Sequence, residues 1–515
     1  MSIRPYRVIA CAGFCLLLVS GCSLAPDYQR PQMDLPEVWT QAGAGRAEAL
    51  AVQWWKRFND PVLDALIEEA LANNRDMAAA LARVDYARAR LGLARADQLP
   101  SVNGQMALQP TYVDGEKSLS TAPYSAAFSA SWELDFWGRY RNLSRSAQAQ
   151  LLATEAAQDA LRLSLAAQTA KVYFQLRAAE DKLRTAERTL KTRLAALHIY
   201  ESRYKEGLIS ELDLAQSKTV VETARTVIYQ SRAARENAEA TLGALLGRSP
   251  RDILQNNVRG GMTIDAIPTP PVIPAGVPSE LLNRRPDLRQ AEAELMAATA
   301  DIGVARADWF PSLSLTGALG VVSPQLADLF RNPLDTHSYG VSGSVPILHF
   351  GRISSNVRAV EASQREAMAN YEQAVLNAFR DMRDALARQR EASNIVVSLV
   401  RMVKQYRIVR NLASVRYDNG YSSYLDVLDA ERSLFQCEMD LATARADRLS
   451  SIVDVCLNLG GGWKGPQDPA QTPATDTPVP GTPAAETAAA SGRTPGAAPA
   501  AATQNAAPGH GGQPD

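Results

Sequence analysis

"IGVARADWFPSLSLTG", residues 302–317, leaves an Ala-rich, apolar-periodic segment, passes a proline, and enters a short run that alternates with serine. "LGLARADQLPSVNGQM", residues 91–106, makes the same transition in nearly the same residues. Gly92, Ala94, Arg95, Ala96, Asp97, Pro100 and Ser101 recur as Gly303, Ala305, Arg306, Ala307, Asp308, Pro311 and Ser312, each 211 positions later. The chain is therefore built twice, and each repeat turns from helix to strand where Pro100 or Pro311 can end a helix.

The strands declare themselves by period. Residues 124–136 place Tyr124, Ala126, Phe128, Ala130, Trp132, Leu134 and Phe136 on one face, against Ser125, Ala127, Ser129, Ser131, Glu133 and Asp135. Alternation over thirteen residues predicts a strand. Residues 338–347 alternate likewise, and weaker strands are expected at 101–109 and 312–322. Each repeat thus offers a hairpin, 101–136 and 312–349, the first with the polar loop "VDGEKS" at 113–118. Four strands cannot close a barrel, and an open sheet edge cannot sit in lipid, so strands that span a membrane have to be pooled by several chains. Three chains would supply twelve. Tyr124, Trp132, Phe136, Trp137, Trp309, Phe310, Tyr339 and Phe350 near the strand ends suit a bilayer interface.

After the hairpins come "WGR" (137–139) and "FGR" (350–352), now 213 apart, so two added residues belong to the second hairpin. About 67 helix-forming residues follow in each repeat, up to Gly207 and Gly420. Leu183, Leu190, Leu197 and Tyr204 recur every seven residues; Val396, Leu399, Val403, Tyr406, Ala413 and Tyr417 keep a 3/4 heptad broken by Arg410. Sustained heptads predict coiled-coil packing, and a helix this long reaches ~100 Å. The chain reverses at "RYKEGLISELDL" (203–214) and "RYDNGYSSYLDV" (416–427), where Gly207 and Gly420 suit the left-handed position and Ser210 or Ser422 can cap the returning helix. The returning helices run to about Gly247 and Gly460, and shorter helices at 60–97 and 279–307 precede the hairpins.

"MSIRPYR" followed by "VIACAGFCLLLVSGC" is a secretory signal that stops at Cys22, in a pattern like the bacterial lipobox. Lipidation is expected at Cys22; each buried acyl methylene contributes about 0.8 kcal/mol, so more than one chain anchors firmly. Ser23 after it points to outer-membrane sorting. Of the thiols beyond the signal, Cys437 and Cys456 fall on one predicted helix, separated by several turns and so too far apart to bridge. No other apolar run is long enough for a spanning helix, so any crossing uses strands.

The expected partition is a signal peptide 1–21, a lipidated segment 22–59, repeat 1 at 60–266, a Pro-rich linker 267–278, repeat 2 at 279–463 and a disordered Pro/Ala-rich tail 464–515. With 54 basic and 55 acidic residues and no basic run, nucleic acid is not a partner. His198, His337, His349 and His510 are too scattered for a metal site, and GxxxxGK[ST], HExxH and CxxC do not occur, so neither a metal, another cofactor nor catalysis is expected.

Lipobox Cys22, "QWWKRFNDPVLDALIEEALANNRDM" (53–77), "ARADWFPSLSLTG" (305–317), "RYDNGYSSYLDVLDAERSLFQ" (416–436) and "NLGGGW" (458–463) resemble the outer-membrane factor family of TolC-like exit ducts, in its NodT-type, OprM-like lipoprotein subgroup. The resemblance covers about residues 22–463. It implies an α+β membrane protein: a homotrimer with a twelve-stranded β-barrel in the outer membrane and a long α-helical coiled-coil barrel in the periplasm. It implies docking of a periplasmic membrane-fusion adaptor and an inner-membrane pump of the resistance-nodulation-division (RND) type, with passive export of antibiotics and other toxic compounds. It places gate residues at Tyr417, Leu425, Asp429 and Arg432, of which the last three share one helix face at i, i+4 and i+7. The first repeat has Leu212, Gln216 and Thr219 at the matching positions, so the charged pair belongs to the second repeat alone. Gly207, Leu208, Gly420 and Tyr421 form the tips available to an adaptor. Two alternatives stay open: an exit duct for type I protein secretion, and a lipidated coiled-coil protein that forms no pore.

Overall fold

The serine-alternating runs pair into one antiparallel sheet, because each exposes a row of backbone groups that only another strand can satisfy. The computed structural model describes residues 23–36, 53–108, 124–255, 260–270 and 281–461. The expected signal peptide, Cys22, the "VDGEKS" loop, most of the linker and the 464–515 tail lie outside them. Strands β1 (Ser101–Leu108), β2 (Tyr124–Leu134), β3 (Ser312–Ser323) and β4 (Leu334–Ser344) stand in the order β1-β2-β3-β4.

The two hairpins share one register. Ser101 faces Ser131 in the first and Ser312 faces Ser344 in the second, which is the same pair carried forward by the two repeat offsets. Leu108 opposite Tyr124 likewise becomes Leu319 opposite His337, so the two added residues lie beyond that pair, at the hairpin's outer end. β4 departs from the expected 338–347. It starts four residues earlier because Leu334–His337 have partners in Val322–Leu319, and it stops at Ser344 because the next position on β3 is Pro311, which has no N–H.

Around the sheet the helices are α1 (Pro61–Asn73), α2 (Arg75–Ala96), α3 (Arg139–Lys205), α4 (Glu211–Leu245), α5 (Pro250–Gln255), α6 (Leu281–Arg284), α7 (Pro286–Ala307), α8 (Arg352–Asp418) and α9 (Tyr424–Asn458). α3 and α8 are both 67 residues and α4 and α9 both 35. None of the described helices is long and apolar enough to cross a membrane. The helices expected at 60–97 and 279–307 are each broken. Asn74, extended at φ −61 and ψ 135, ends α1 and caps α2 by accepting from the N–H groups of Asp76 and Met77. Its Nδ2 also donates to the Leu245 carbonyl at the end of α4 (2.9 Å), so the break ties two helices together. In the second repeat Pro286 supplies the break, forcing Arg285 out of the helical region.

The core gathers where the short helices meet the middle of α3. Trp54, Phe58, Leu63, Ile67, Tyr173, Phe174, Leu176, Leu242 and Val453 are all buried there, each worth about 1.5–3 kcal/mol when removed from water. Asp60, fully buried, caps α1 and accepts the Tyr173 hydroxyl (2.6 Å), locking α1 to α3. Residues 23–36 run extended along α7. Ser23 donates to Asn142 in the first turn of α3 (3.1 Å), Arg30 forms a two-pronged pair with buried Glu292, and Tyr28, Met33 and Leu35 cover Leu288, Leu295 and Tyr371. Cys437 and Cys456 are buried thiols on α9, the latter pushed up to about 12 by burial.

Candidate functional site

Two parts of the molecule can carry function: the reversal ends of the long helices and the free edges of the sheet. At the first, α3 ends at Lys205 because Gly207 takes φ +71, and Leu208 N–H bonds back to the Arg203 carbonyl (2.9 Å) in a six-residue closing turn. Ser210 then caps α4 reciprocally with Asp213. The second repeat repeats the device: Gly420 has φ +74 and Tyr421 N–H bonds to the Arg416 carbonyl (2.8 Å). The N-cap there is Ser423, not Ser422; it is the repeat counterpart of Ser210, and the Ser422 hydroxyl oxygen is buried with no hydrogen-bond partner among the described residues. Gly207, Leu208, Gly420 and Tyr421 are all exposed at these tips, and an added Cβ on either glycine meets nothing within 4 Å.

α3 packs on α4, α8 on α9, and the two pairs join along α3 and α9. Leu183, Ala186, Arg193 and Tyr200 are buried positions of the α3 seam, spaced by three and then by sevens; Val396 and Val403, seven apart, are buried on α8. Near the tips the seam turns polar. The Tyr200 and Tyr424 rings meet at 4.2 Å, tilted by 43°, Tyr417 lies 5.4 Å from Tyr424, and Arg203 donates to the Tyr417 hydroxyl at 3.4 Å. Burial pushes the Tyr200 and Tyr424 phenols up, so both stay neutral. Two turns further from the tip, Arg193 is 4 % exposed, donates to the Val220 carbonyl (2.6 Å) and holds its guanidinium 4.8 Å over the Phe435 ring. Burial lowers the Arg193 pKa, and burial raises that of Glu431, which faces Arg193 and Arg410.

The four residues carried over as a gate separate into two groups. Leu425, Asp429 and Arg432 share one exposed face of α9, with Arg432 paired to Asp429 at 2.6 Å. Tyr417 lies apart from them within the chain, half-buried against Tyr424. Sequence reasoning missed Arg193, Tyr200, Glu431 and Phe435. The signal was available: Arg193 and Tyr200 lie three residues after Leu190 and Leu197, the second seam position of each heptad.

At the other end, the sheet stops with both edges free. Among the described residues β1 and β4 have no outer partner; Val102, Met106, Leu108, Tyr339 and Val341 are exposed on them, as are Val345 and Ile347 just past β4. Apolar edge strands attached to helices this long define one subunit of a β-barrel channel with a coiled-coil extension.

The family can be named. Residues 66–248 and 277–461 match the family described as "Outer membrane efflux protein", and the chain belongs to it. It is 36 % identical over 466 residues to the solvent efflux pump outer membrane protein SrpC of Pseudomonas putida, covering 87 % of this chain and 97 % of that one. It is 34 % identical over 454 residues to the cation efflux system protein CusC of Escherichia coli K12 (87 % and 98 %). It is 32 % identical over 455 residues to the probable outer membrane lipoprotein SilC of Salmonella typhimurium (87 % and 97 %). Among solved structures, the outer-membrane channel OprN matches with a TM-score of 0.77 at 31 % identity, covering 86 % of this chain and all of that one. The Campylobacter jejuni CmeC outer membrane channel matches with a TM-score of 0.80 at 27 % identity (87 % and 96 %). The protein is an efflux channel of the outer membrane, with the mixed strand-and-helix fold that class shares.

Proposed function

We propose that three copies of this chain close a twelve-stranded barrel in the outer membrane and continue it as a helical tube, anchored through lipid on Cys22. The duct is the passive exit of a tripartite pump: an adaptor seats on the tips at Gly207, Leu208, Gly420 and Tyr421, and an inner-membrane RND pump supplies the energy. The observation that carries this reading is the four-stranded sheet with two bare, apolar edges, an arrangement that lipid does not tolerate and that identical neighbours repair. The expected lipid position agrees with the strap: Ser23, the residue after Cys22, bonds to Asn142 just past the strands, at the level where acyl chains would enter the bilayer.

Closure at the far end would be electrostatic and steric. Three Asp429 carboxylates brought near one axis repel unless each keeps its Arg432, and Leu425 on the same face narrows the passage. Opening then breaks contacts on α9 without disturbing the sheet. Relatives of nearly equal similarity are named for a solvent and for a cation, which supports a duct that passes what the pump delivers without choosing it. The cargo is accordingly read as toxic small compounds. The test is paired: purified protein in planar bilayers should conduct ions, and deletion of the gene should raise susceptibility to several unrelated compounds. A non-conducting protein would remove the duct reading.

A further inference from the structure

The two repeats are related closely enough to say how one copy joins the next. Within the chain, the second strand of repeat 1 pairs with the first strand of repeat 2: Trp132 opposite Leu315, Leu134 opposite Leu313. Both hairpins keep one register under the repeat offsets, so β4 is the structural counterpart of β2 and β1 that of β3. The joint between repeats can therefore be carried around the ring, one repeat forward on β2 and one repeat back on β3.

Resting on the reading of the protein as a ring of identical copies, we infer that β4 of each copy pairs with β1 of the next in a defined register. Ile347 stands opposite a second copy's Val102, Val345 opposite Gly104, Ser344 opposite Gln105, Gly343 opposite Met106 and Val341 opposite Leu108. This register meets a condition that was not used to derive it. Ile347, Val345 and Val341 fall beside Val102, Gly104 and Leu108 on one face, while Ser344 and Ser342 fall beside Gln105 and Ala107 on the other. A slip of one residue would set Ile347 against Asn103 or Ser101 and mix the two faces. The register also gives partners to residues 345–348, which have no strand partner among the described residues because β3 begins after Pro311.

An aromatic contact follows from the same correspondence. Trp137, just after β2, stacks on Phe310 at 4.5 Å and its Nε1 donates to the Pro311 carbonyl at 2.7 Å. Its counterpart Phe350 is 93 % exposed, held at φ +44 beside Gly351 at φ +85. The counterparts of Phe310 and Pro311 are Leu99 and Pro100, and Leu99 is 66 % exposed. Phe350 of one copy packs on Leu99 and Pro100 of the next, closing each seam as Trp137 closes the joint within the chain.

Cysteine pairs in the full-length protein test this. Ser344 and Gln105 of one chain lie on opposite edges of the sheet, three strand spacings or ~14 Å apart laterally, and Gln105 is level with Thr336, so Ser344 is a further eight residues or ~27 Å along the strands. That is far beyond the roughly 7 Å limit for a disulfide, so any bridge joins two copies. Under mild oxidation in outer-membrane preparations, Ser344→Cys with Gln105→Cys should give a covalent trimer on a non-reducing denaturing gel. Ser344→Cys with Asn103→Cys or with Ala107→Cys, the same face slipped by two residues, should remain monomeric. Cross-linking by either slipped pair in place of the first overturns the register while leaving the ring intact. Failure of all three pairs also overturns it, and light scattering of the same preparations then says whether the ring itself is wrong. Phe350→Ser should lower the temperature at which the trimer dissociates in detergent, whereas Phe350→Trp, the first repeat's residue, should preserve it. An unchanged Phe350→Ser trimer removes the aromatic contact.

Discussion

Replacing Arg193 by methionine should loosen the joint between the two helical hairpins without unfolding the sheet. The side chain is nearly as long, so packing against Phe435 is largely kept while the charge is lost. A charge-assisted hydrogen bond to the Val220 carbonyl is worth about 1.5–3 kcal/mol, and the guanidinium over the Phe435 ring about 0.5–2 kcal/mol. Against these stands the relief of a buried cation whose Nε has no hydrogen-bond partner among the described residues. The net loss is about 2 kcal/mol, roughly a thirtyfold rise in local opening. Hydrogen exchange followed by mass spectrometry should show that loss of protection in peptides of α9 around Leu428–Met439 and of α3 around Ala186–Tyr200. Part of the loss is indirect, because half-buried Glu431 then has only Arg410 to oppose its desolvation. Arg193→Met combined with Glu431→Gln should therefore recover about 1 kcal/mol relative to Arg193→Met alone. Unchanged protection in the single variant, or no recovery in the double, would refute the reasoning.

Asp429→Ala with Arg432→Ala removes an exposed pair worth 0 to about 1 kcal/mol, so thermal stability should be unchanged; conductance in planar bilayers should nonetheless rise, and wild-type conductance would count against the gate. Gly420→Trp meets open space but sits at φ +74, at a backbone cost of about 1–2 kcal/mol. It should leave the trimer assembled and abolish co-purification of adaptor; normal co-purification would detach the tip from docking. Glu431→Gln supplies a pH test. Burial raises the folded pKa of this carboxyl, so the protonated form is the one folding favours, and its stability is present at low pH and lost as pH rises through the folded value. The unfolding temperatures of variant and wild type should coincide near pH 4 and separate as pH rises, the variant being higher. A constant difference across that range would show that Glu431 does not titrate as described.

Much of this fold could be read from the chain because its signals are periodic. Pro100 and Pro311 with serine alternation mark the strands, and the glycines at 207 and 420 mark the reversals. What escaped depended on contacts far apart in sequence. Nothing local in "NNRDM" says that Asn74 will break a helix, because the break is held by Leu245, far along the chain at the end of α4. β4 ran to an unexpected end because its length is set by Pro311 on the opposite strand, not by its own alternation. At the tips, the face holding Leu425, Asp429 and Arg432 was legible from spacing alone, whereas the Arg193–Phe435 contact joins α3 to α9 across the two repeats and appears only once both helices are in place.

The direct trial of the account is the mass of the lipidated, full-length protein released from outer membranes in a gentle detergent, measured by native mass spectrometry. Three polypeptides per particle, dispersed only while detergent is present, is the result the account predicts. A single polypeptide that stays in solution after detergent is withdrawn would contradict it.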